Sequence, residues 1–169
     1  LDVSVGPVLV PSSRPLAAIQ NENNAVLVTG KAVGETMFYG PGAGELPTAN
    51  SVLSDIIAVT KDIVLETTGS RFNDYVKNVA LAPASDVIYP YYLSLLLPDK
   101  PGQMLKLTEI MAKQKASFNV IKQTGESKGT ARILLVTHAM SEAQLNAIKA
   151  KLKEMPEMQL LAAYKVLEG

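Results

Sequence analysis

Two glycine-bearing turns hold the residues of this chain best suited to chemistry. Gly40-Pro41-Gly42-Ala43-Gly44 follows the short apolar run Thr36-Met37-Phe38-Tyr39 and precedes a long helical pattern. Glycines let another group approach the backbone, and the unpaired N–H groups at a helix start are ready donors. The glycines are spaced two apart, so this is not G-x-G-x-x-G, and with no Gly-Lys-Ser/Thr after it the loop is not a P-loop. A tight strand-to-helix turn with no ligand stays open as the alternative, because glycine is the default residue of such turns. The second turn is Asp99-Lys100-Pro101-Gly102. There Gly102 would let a carboxylate reach the helix N–H groups, whose positive dipole end favours it, while Asp99 could pair with an ammonium group. Asn119, on the next strand, could bond the same ligand or a partner subunit. An ordinary helix-initiating turn is the alternative here too.

Composition removes several other chemistries. The 169 residues carry 16 Lys plus Arg against 16 Asp plus Glu, a formal net charge of zero. No basic excess is available for a nucleic-acid backbone, and no polybasic block marks a membrane surface. There is no Cys and a single His, His138, which excludes disulfides and thiolate metal sites and speaks against a histidine-based one. No apolar run reaches the roughly 18 residues needed to span a bilayer, and no secretory signal opens the chain. The expected location is cytoplasmic, with neither nucleic acid nor membrane as partner. No catalytic or metal-binding residue is assigned. His138 has no assigned role, Arg71, Asp74 and Lys77 read as a solvated face, and Met104, Met111 and Met155 fall at core spacing.

The elements that must position the two turns fall into three regions, 1–67, 68–89 and 90–169. In the first, Val3-Ser4-Val5 and Pro7-Val8-Leu9-Val10-Pro11 read as extended, and Ala25-Val26-Leu27-Val28-Thr29 reads as a buried strand. A helix is expected from about Pro47 to Glu66, with Pro47 in its first turn. Its stripe of Val52, Ile56, Val59 and Ile63 is widened by Leu53, Ile57 and Val64, so it needs packing on more than one side. The first region is too short to supply that cover. Together with a start at Leu1 rather than Met, this reads as a fragment. Residues 68–89 read as a connector. The last region predicts a strand over Tyr91–Leu97, a helix with Met104, Leu107 and Met111 on one face, and strands at Phe118–Val120 and Ala131–Thr137. A second helix follows, opened by the capping-box pair Ser141 and Gln144, with Leu145, Ile148, Leu152 and Met155 on one face. Leu160, Ala162, Tyr164 and Val166 alternate in a last strand. The order is βαββαβ, a four-stranded antiparallel sheet with both helices on one face, and the fold class is α+β.

Two segments carry a resemblance. Gly34-Glu35-Thr36-Met37-Phe38-Tyr39-Gly40-Pro41-Gly42-Ala43-Gly44, continued by Pro47-Thr48-Ala49 and Asp55-Ile56, resembles the end of the homoserine dehydrogenase catalytic domain. Residues 90–169, with Leu97-Pro98-Asp99-Lys100-Pro101-Gly102 between strand and helix, resemble an ACT domain, a ferredoxin-like module that binds amino acids. The resemblance implies the C-terminal part of an NAD(P)-dependent oxidoreductase that interconverts L-homoserine and L-aspartate 4-semialdehyde, in threonine and methionine biosynthesis. It places the nucleotide-binding domain and the catalytic lysine in segments that this sequence does not contain. On that footing the chain alone is inactive and holds no cofactor. Gly44 would lie nearest the nicotinamide end of the cofactor in the parent enzyme, with Gly42 and Thr48 beside it. Asp99, Gly102 and Asn119 would form an effector site, with threonine as the effector for allosteric feedback. The competing reading is a stand-alone amino-acid sensor, which the upstream gene sequence would distinguish.

A sheet with helices on one face leaves the other uncovered. Tyr92, Ser94 and Leu96 are expected there, joined by Leu161 and Leu167, and such patches usually mark interfaces. Edge-strand pairing would add to the contact, so a homodimer or higher oligomer is expected through the ACT domain.

Overall fold

The computed structural model describes residues 1–67, 79–125 and 129–167. In chain order the elements begin with β1 (Val8–Leu9), β2 (Asn23–Gly30), β3 (Gly34–Pro41) and α1 (Glu45–Val64). They continue with β4 (Ile88–Tyr89), β5 (Tyr91–Pro98), α2 (Gln103–Lys113) and β6 (Phe118–Gly125). The last are β7 (Thr130–Thr137), β8 (Met140–Ser141), α3 (Glu142–Lys153) and β9 (Gln159–Val166). The mixture is α+β, as expected. Arg71, Asp74 and Lys77 lie outside the described residues.

The chain forms two compact units, residues 1–11 with 79–169, and residues 12–78. β1 pairs in parallel with β9, Val8 opposite Lys165 and Leu9 opposite Val166. Within the expected connector, β4 pairs with β8. Each is a two-residue pairing between segments far apart in sequence, and neither leaves a local pattern to read.

In the first unit, β5, α2, β6, β7, α3 and β9 follow the expected βαββαβ order. The sheet has five strands rather than four, in the order β1-β9-β5-β7-β6, because the N-terminal segment adds β1 at one edge. Alternation on β5 turns Tyr91, Leu93, Leu95 and Leu97 into a core with Ala131, Ile133 and Leu135 of β7. Leu107, Ile110 and Met111 of α2 and Leu145, Ile148 and Leu152 of α3 close it. Met104 and Met155 pack at its margin, as their spacing predicts. The capping box forms in full: the Gln144 N–H donates to Ser141 Oγ at 3.2 Å, and the Ser141 N–H to Gln144 Oε1 at 2.8 Å. Gln144 Nε2 also donates to the Gln114 carbonyl at 2.7 Å, tying the start of α3 to the end of α2. Where the β5–β7 ladder ends, Thr137 Oγ1 accepts the Tyr91 N–H at 2.9 Å, so a buried backbone donor is not left unpaired.

Two irregularities re-aim side chains. The β5–β9 register shifts between Ser94 and Leu95: Ser94 is opposite Ala162, but Leu95 is opposite Leu160. A bulge changes which face each residue takes. Leu160 therefore packs on the core, instead of sharing a face with Ala162 and Tyr164 as simple alternation predicts. On the opposite face Tyr164 stacks on Tyr92, ring centroids 6.1 Å apart and planes within 7°. The second irregularity, between Phe118 and Val120, leaves Asn119 as the extra residue at the start of β6.

In the second unit β2 and β3 form an antiparallel hairpin, from Asn23 opposite Pro41 to Gly30 opposite Gly34. The expected strand at Ala25–Thr29 is present but not buried: Val26 and Val28 are exposed, as is Phe38 across the ladder. The helix runs Glu45–Val64, two residues earlier at each end than its apolar pattern predicts. Its end is fixed by backbone geometry. Glu66 takes a positive φ of 51°, the Thr67 N–H bonds the Asp62 carbonyl, and the Glu66 N–H bonds that of Ile63. This is a Schellman stop made without glycine. None of the helix residues is buried, and its apolar stripe is open.

The contrast in burial sets an expectation for stability. Ile148 is 0% exposed and Ile56 is 56% exposed. In denaturant unfolding of this chain, Ile148→Ala is expected to lower stability by about 2–5 kcal/mol, and Ile56→Ala by less than about 0.5 kcal/mol. Equal losses would contradict the packing described.

Candidate functional site

The glycine loop is shaped from both sides. The Gly42 N–H donates to the Glu22 carbonyl at 3.0 Å, closing the loop onto the residues that precede β2. A Cβ at Gly42 would lie 1.8 Å from Asn24 Nδ2 and 2.3 Å from its Cγ, so a larger residue there would require the Asn24 side chain to move. The bare backbone of Gly42 is thus already in contact with Asn24. Gly44 is the N-cap of α1 with φ 123° and ψ 155°, a conformation open to glycine and few other residues. Its carbonyl accepts the Thr48 N–H at 3.1 Å. Pro47 has no N–H, which leaves the N–H groups of Glu45 and Leu46 without partners among the described residues. Thr48 is exposed one turn into the helix. Beside the loop, a shallow groove of about 260 Å³ is lined by Asn24, Val26, Phe38, Tyr39, Gly40 and Gly42. Gly44 and Thr48 thus stand at the helix start, and Gly42 against the groove. Asn24, which lies against Gly42, is a residue that sequence reasoning missed. It belongs to the polar turn Asn21-Glu22-Asn23-Asn24, and nothing local ties it to the glycines.

In the second turn the Asp99 N–H donates to the Gly129 carbonyl at 2.9 Å, and Asp99 Oδ1 accepts from Gln123 Nε2 at 3.2 Å. Gly102 is the N-cap of α2, in the left-handed region at φ 88°. A Cβ there would meet nothing within 4 Å, so the space beside it is open. Its carbonyl accepts the Lys106 N–H at 3.2 Å. Just after it, the side-chain oxygen of Gln103 is buried with no hydrogen-bond partner. Gln103 and Gln123 were not singled out from the sequence, although Gln103 adjoins Gly102 directly. The structure does not bring Asn119 to this turn within one chain. Gln123, the β6 residue that touches Asp99, is four positions further along the strand, roughly 13 Å at strand rise. Among the described residues no group of three or more His, Cys, Asp or Glu could hold a metal ion. No helix among them is long and apolar enough to cross a membrane.

Comparison with known proteins gives a consistent answer. The homoserine dehydrogenase family pattern matches residues 1–57. The homoserine dehydrogenase of Lactococcus lactis subsp. lactis is 39% identical over 96% of this chain, and that of Bacillus subtilis is 41% identical over all of it. The matched part is 38% of the first relative and 40% of the second, so the chain spans about two-fifths of their length. The crystal structure of a homoserine dehydrogenase from Thiobacillus denitrificans superposes with a TM-score of 0.79 at 31% identity, over 96% of this chain and 38% of that one. A Staphylococcus aureus homoserine dehydrogenase structure, 22% identical with a TM-score of 0.57, shares the fold. In sequence and in fold the chain is similar to a part of the homoserine dehydrogenases.

Proposed function

We propose that this chain serves as the C-terminal part of an NAD(P)-dependent oxidoreductase interconverting L-homoserine and L-aspartate 4-semialdehyde, and that it is inactive by itself. The carrying observation is α1: a 20-residue helix with a broad apolar face and no buried residue. Leaving that face in water is unfavourable by roughly 25 cal/mol for each Å² of apolar surface. In this reading the face is covered by the rest of the catalytic domain, which also brings the nucleotide-binding fold, the catalytic lysine and the acidic residues that hold the substrate. A stand-alone sensor gives that face nothing to pack against.

The residues of the glycine loop fit the nicotinamide end of a cofactor better than its phosphates. Two free N–H groups are offered, but the Glu45 carboxylate stands in the same first turn and would repel a phosphate. A neutral carboxamide has an oxygen for those donors and meets no such repulsion. The nicotinamide, when bound, supplies the hydride acceptor or donor. The part left to this chain is positioning. Gly44 holds the turn at a φ that leaves the Glu45 and Leu46 N–H groups free, Asn24 lies against Gly42, and Thr48 borders the same end of the helix. The lysine that moves the hydroxyl proton of homoserine belongs to the rest of the enzyme.

The βαββαβ unit acts as an ACT regulatory domain in this reading. A small amino acid, threonine as the pathway's end product, sits at the Asp99–Gly102 turn, its carboxylate toward the N–H groups of α2 and its ammonium toward Asp99. Binding regulates activity only if the effector prefers one conformational state of the enzyme. The domain also dimerises. β1 covers one edge of the sheet and leaves β6 as the open edge, and an exposed edge favours pairing with a second copy. Such pairing places Asn119 of β6 at the contact, where it would reach a ligand held by the partner subunit. The face opposite the helices carries Tyr92 stacked on Tyr164 and, four residues along β5, Leu96, and is the apolar part of that interface, although Ser94 between them is buried rather than open as expected. The enzyme is expected in the cytoplasm.

Three measurements test this reading. In the full-length parent enzyme, Gly44→Ala is expected to lower kcat/KM at least about tenfold, as a displaced positioning element does, while the chain alone turns over neither substrate. Unchanged kinetics would make the loop a mere turn. Calorimetric titration of this chain with threonine, serine, isoleucine and methionine is expected to give heat with threonine, weakened about tenfold by Asp99→Asn as a charge-assisted bond is lost. No heat with any of the four would leave the unit purely structural. Light scattering on dilute protein is expected to give a dimer or larger species, shifted toward monomer by Leu96→Glu; a clean monomer of the unaltered chain defeats the association.

A further inference from the structure

A half-open pocket lies at the far end of β5 from Asp99, seven residues or roughly 23 Å of strand away. Its volume is about 250 Å³, and residues 4–8 roof it. Below them it is walled by Tyr91 of β5, Ala163 of β9, and Glu142, Leu145 and Lys149 of α3.

Three of these groups are unsatisfied. Tyr91 is 1% exposed, and its buried hydroxyl has no hydrogen-bond partner. Burying a hydroxyl without a partner is unfavourable, and native structures seldom leave one so unless something occupies the space. Burial first, then the nearby Glu142 and Asp2 carboxylates, hold the Tyr91 phenol protonated, its pKa pushed up to about 12, so it stays a donor at neutral pH. The Glu142 carboxylate and the Lys149 ammonium make no ion pair or side-chain hydrogen bond among the described residues. They are seven residues apart on one helix, about 10 Å along its axis. The third charge, Lys165, is already engaged: its Nζ donates to Ser4 Oγ at 3.2 Å, lies 3.8 Å from Asp2 Oδ2, and sits 4.6 Å over the Tyr89 ring.

The cavity thus offers one free negative charge, one free positive charge and one buried donor. A lone anion would meet Glu142, and a lone cation would meet Lys149. We propose that the space beneath residues 4–8 binds a small zwitterion of amino-acid size, with its ammonium on Glu142, its carboxylate on Lys149, and the Tyr91 hydroxyl donating to the ligand. The site is separate from the Asp99–Gly102 turn and needs no ACT-type regulation. Its roof is the segment that leads directly into residue 12, where the second unit begins. A ligand here ties that lead-in to the sheet, adding to β1 and to the 2.9 Å bond from the Tyr89 hydroxyl to Asp2.

The test is NMR on the full chain with carbon-13-labelled tyrosine rings, the Tyr91 signal being assigned by its loss in Tyr91→Phe. Each of the standard L-amino acids is titrated in turn, with acetate and methylammonium as single-charge controls. At least one amino acid is expected to shift the Tyr91 signal saturably, and neither control should. Glu142→Gln and Lys149→Met should each weaken that binding about tenfold, the scale of one charge-assisted hydrogen bond, while Asp99→Asn should leave it unchanged. Unaltered methyl spectra establish that the variants fold. Three results would overturn the site: no amino acid saturating the signal by about 10 mM, weaker than any useful pocket; a shift that survives both charge variants; or a shift abolished by Asp99→Asn.

Discussion

Apolar helix surface has to be covered, and the two units of this chain meet that constraint in opposite ways. In the βαββαβ unit, alternation on β5 and β7 presents Leu93, Leu95, Ile133 and Leu135 to stripes on α2 and α3, and the resulting core is closed. In the other unit, α1 has an equally apolar surface and buries none of its residues. The hairpin of β2 and β3 is in the same position, with Val26 and Phe38 bare on one face. A two-stranded hairpin is at best marginal alone. The hairpin-and-helix unit is therefore the one whose surfaces call for further partners, whereas the βαββαβ unit is complete in its core.

Completeness in the core does not mean completeness at the edges. A four-stranded split βαβ sheet has two open edges, and here the N-terminal segment closes one. β1 lies on β9, the Leu167 N–H bonds the Leu9 carbonyl at 2.9 Å, and Asp2 is held by Tyr89 and Lys165. The asymmetry leaves β6 as the edge through which a second sheet can pair. It also turns what would be a lead-in segment into part of the unit, so that residues 1–11 group with residues 79–169.

How much of this was legible in the sequence depended on the range of the interactions involved. The Ser141–Gln144 capping box and the faces of α2 and α3 are set within a few residues, and they read correctly. The end of α1 read late, because Glu66 makes the left-handed stop that glycine usually announces. Leu160 read onto the core face, where it packs, but Tyr164 read onto the wrong face, because one bulge opposite Ser94 reverses the alternation and leaves no mark in composition. The pairing of β1 with β9 joins opposite ends of the chain and was invisible. For the sites, the glycines were legible as turns because only they tolerate the backbone angles at Gly44 and Gly102. Their partners were not: Asn24 against Gly42 and Gln123 against Asp99 are contacts between a strand and a turn about 20 residues away.

The two glycine turns are nearly the same device, a left-handed or otherwise positive-φ N-cap with free donors behind it, and what differs is the charge placed around each. At Gly44 the next residue is Glu45, so the positive end of the helix is partly offset, and a neutral acceptor suits it better than an anion. At Gly102 the first turn of α2 holds no acidic residue. The nearest carboxylate, Asp99, is set back before the helix and bonded to Gln123 through one oxygen. A carboxylate can approach those donors without meeting a negative group in the same turn, and Asp99 keeps an oxygen for an ammonium. Backbone geometry alone would suit both turns to the same ligand; under the proposed function, the side chains beside them would suit a neutral amide at one and a zwitterion at the other.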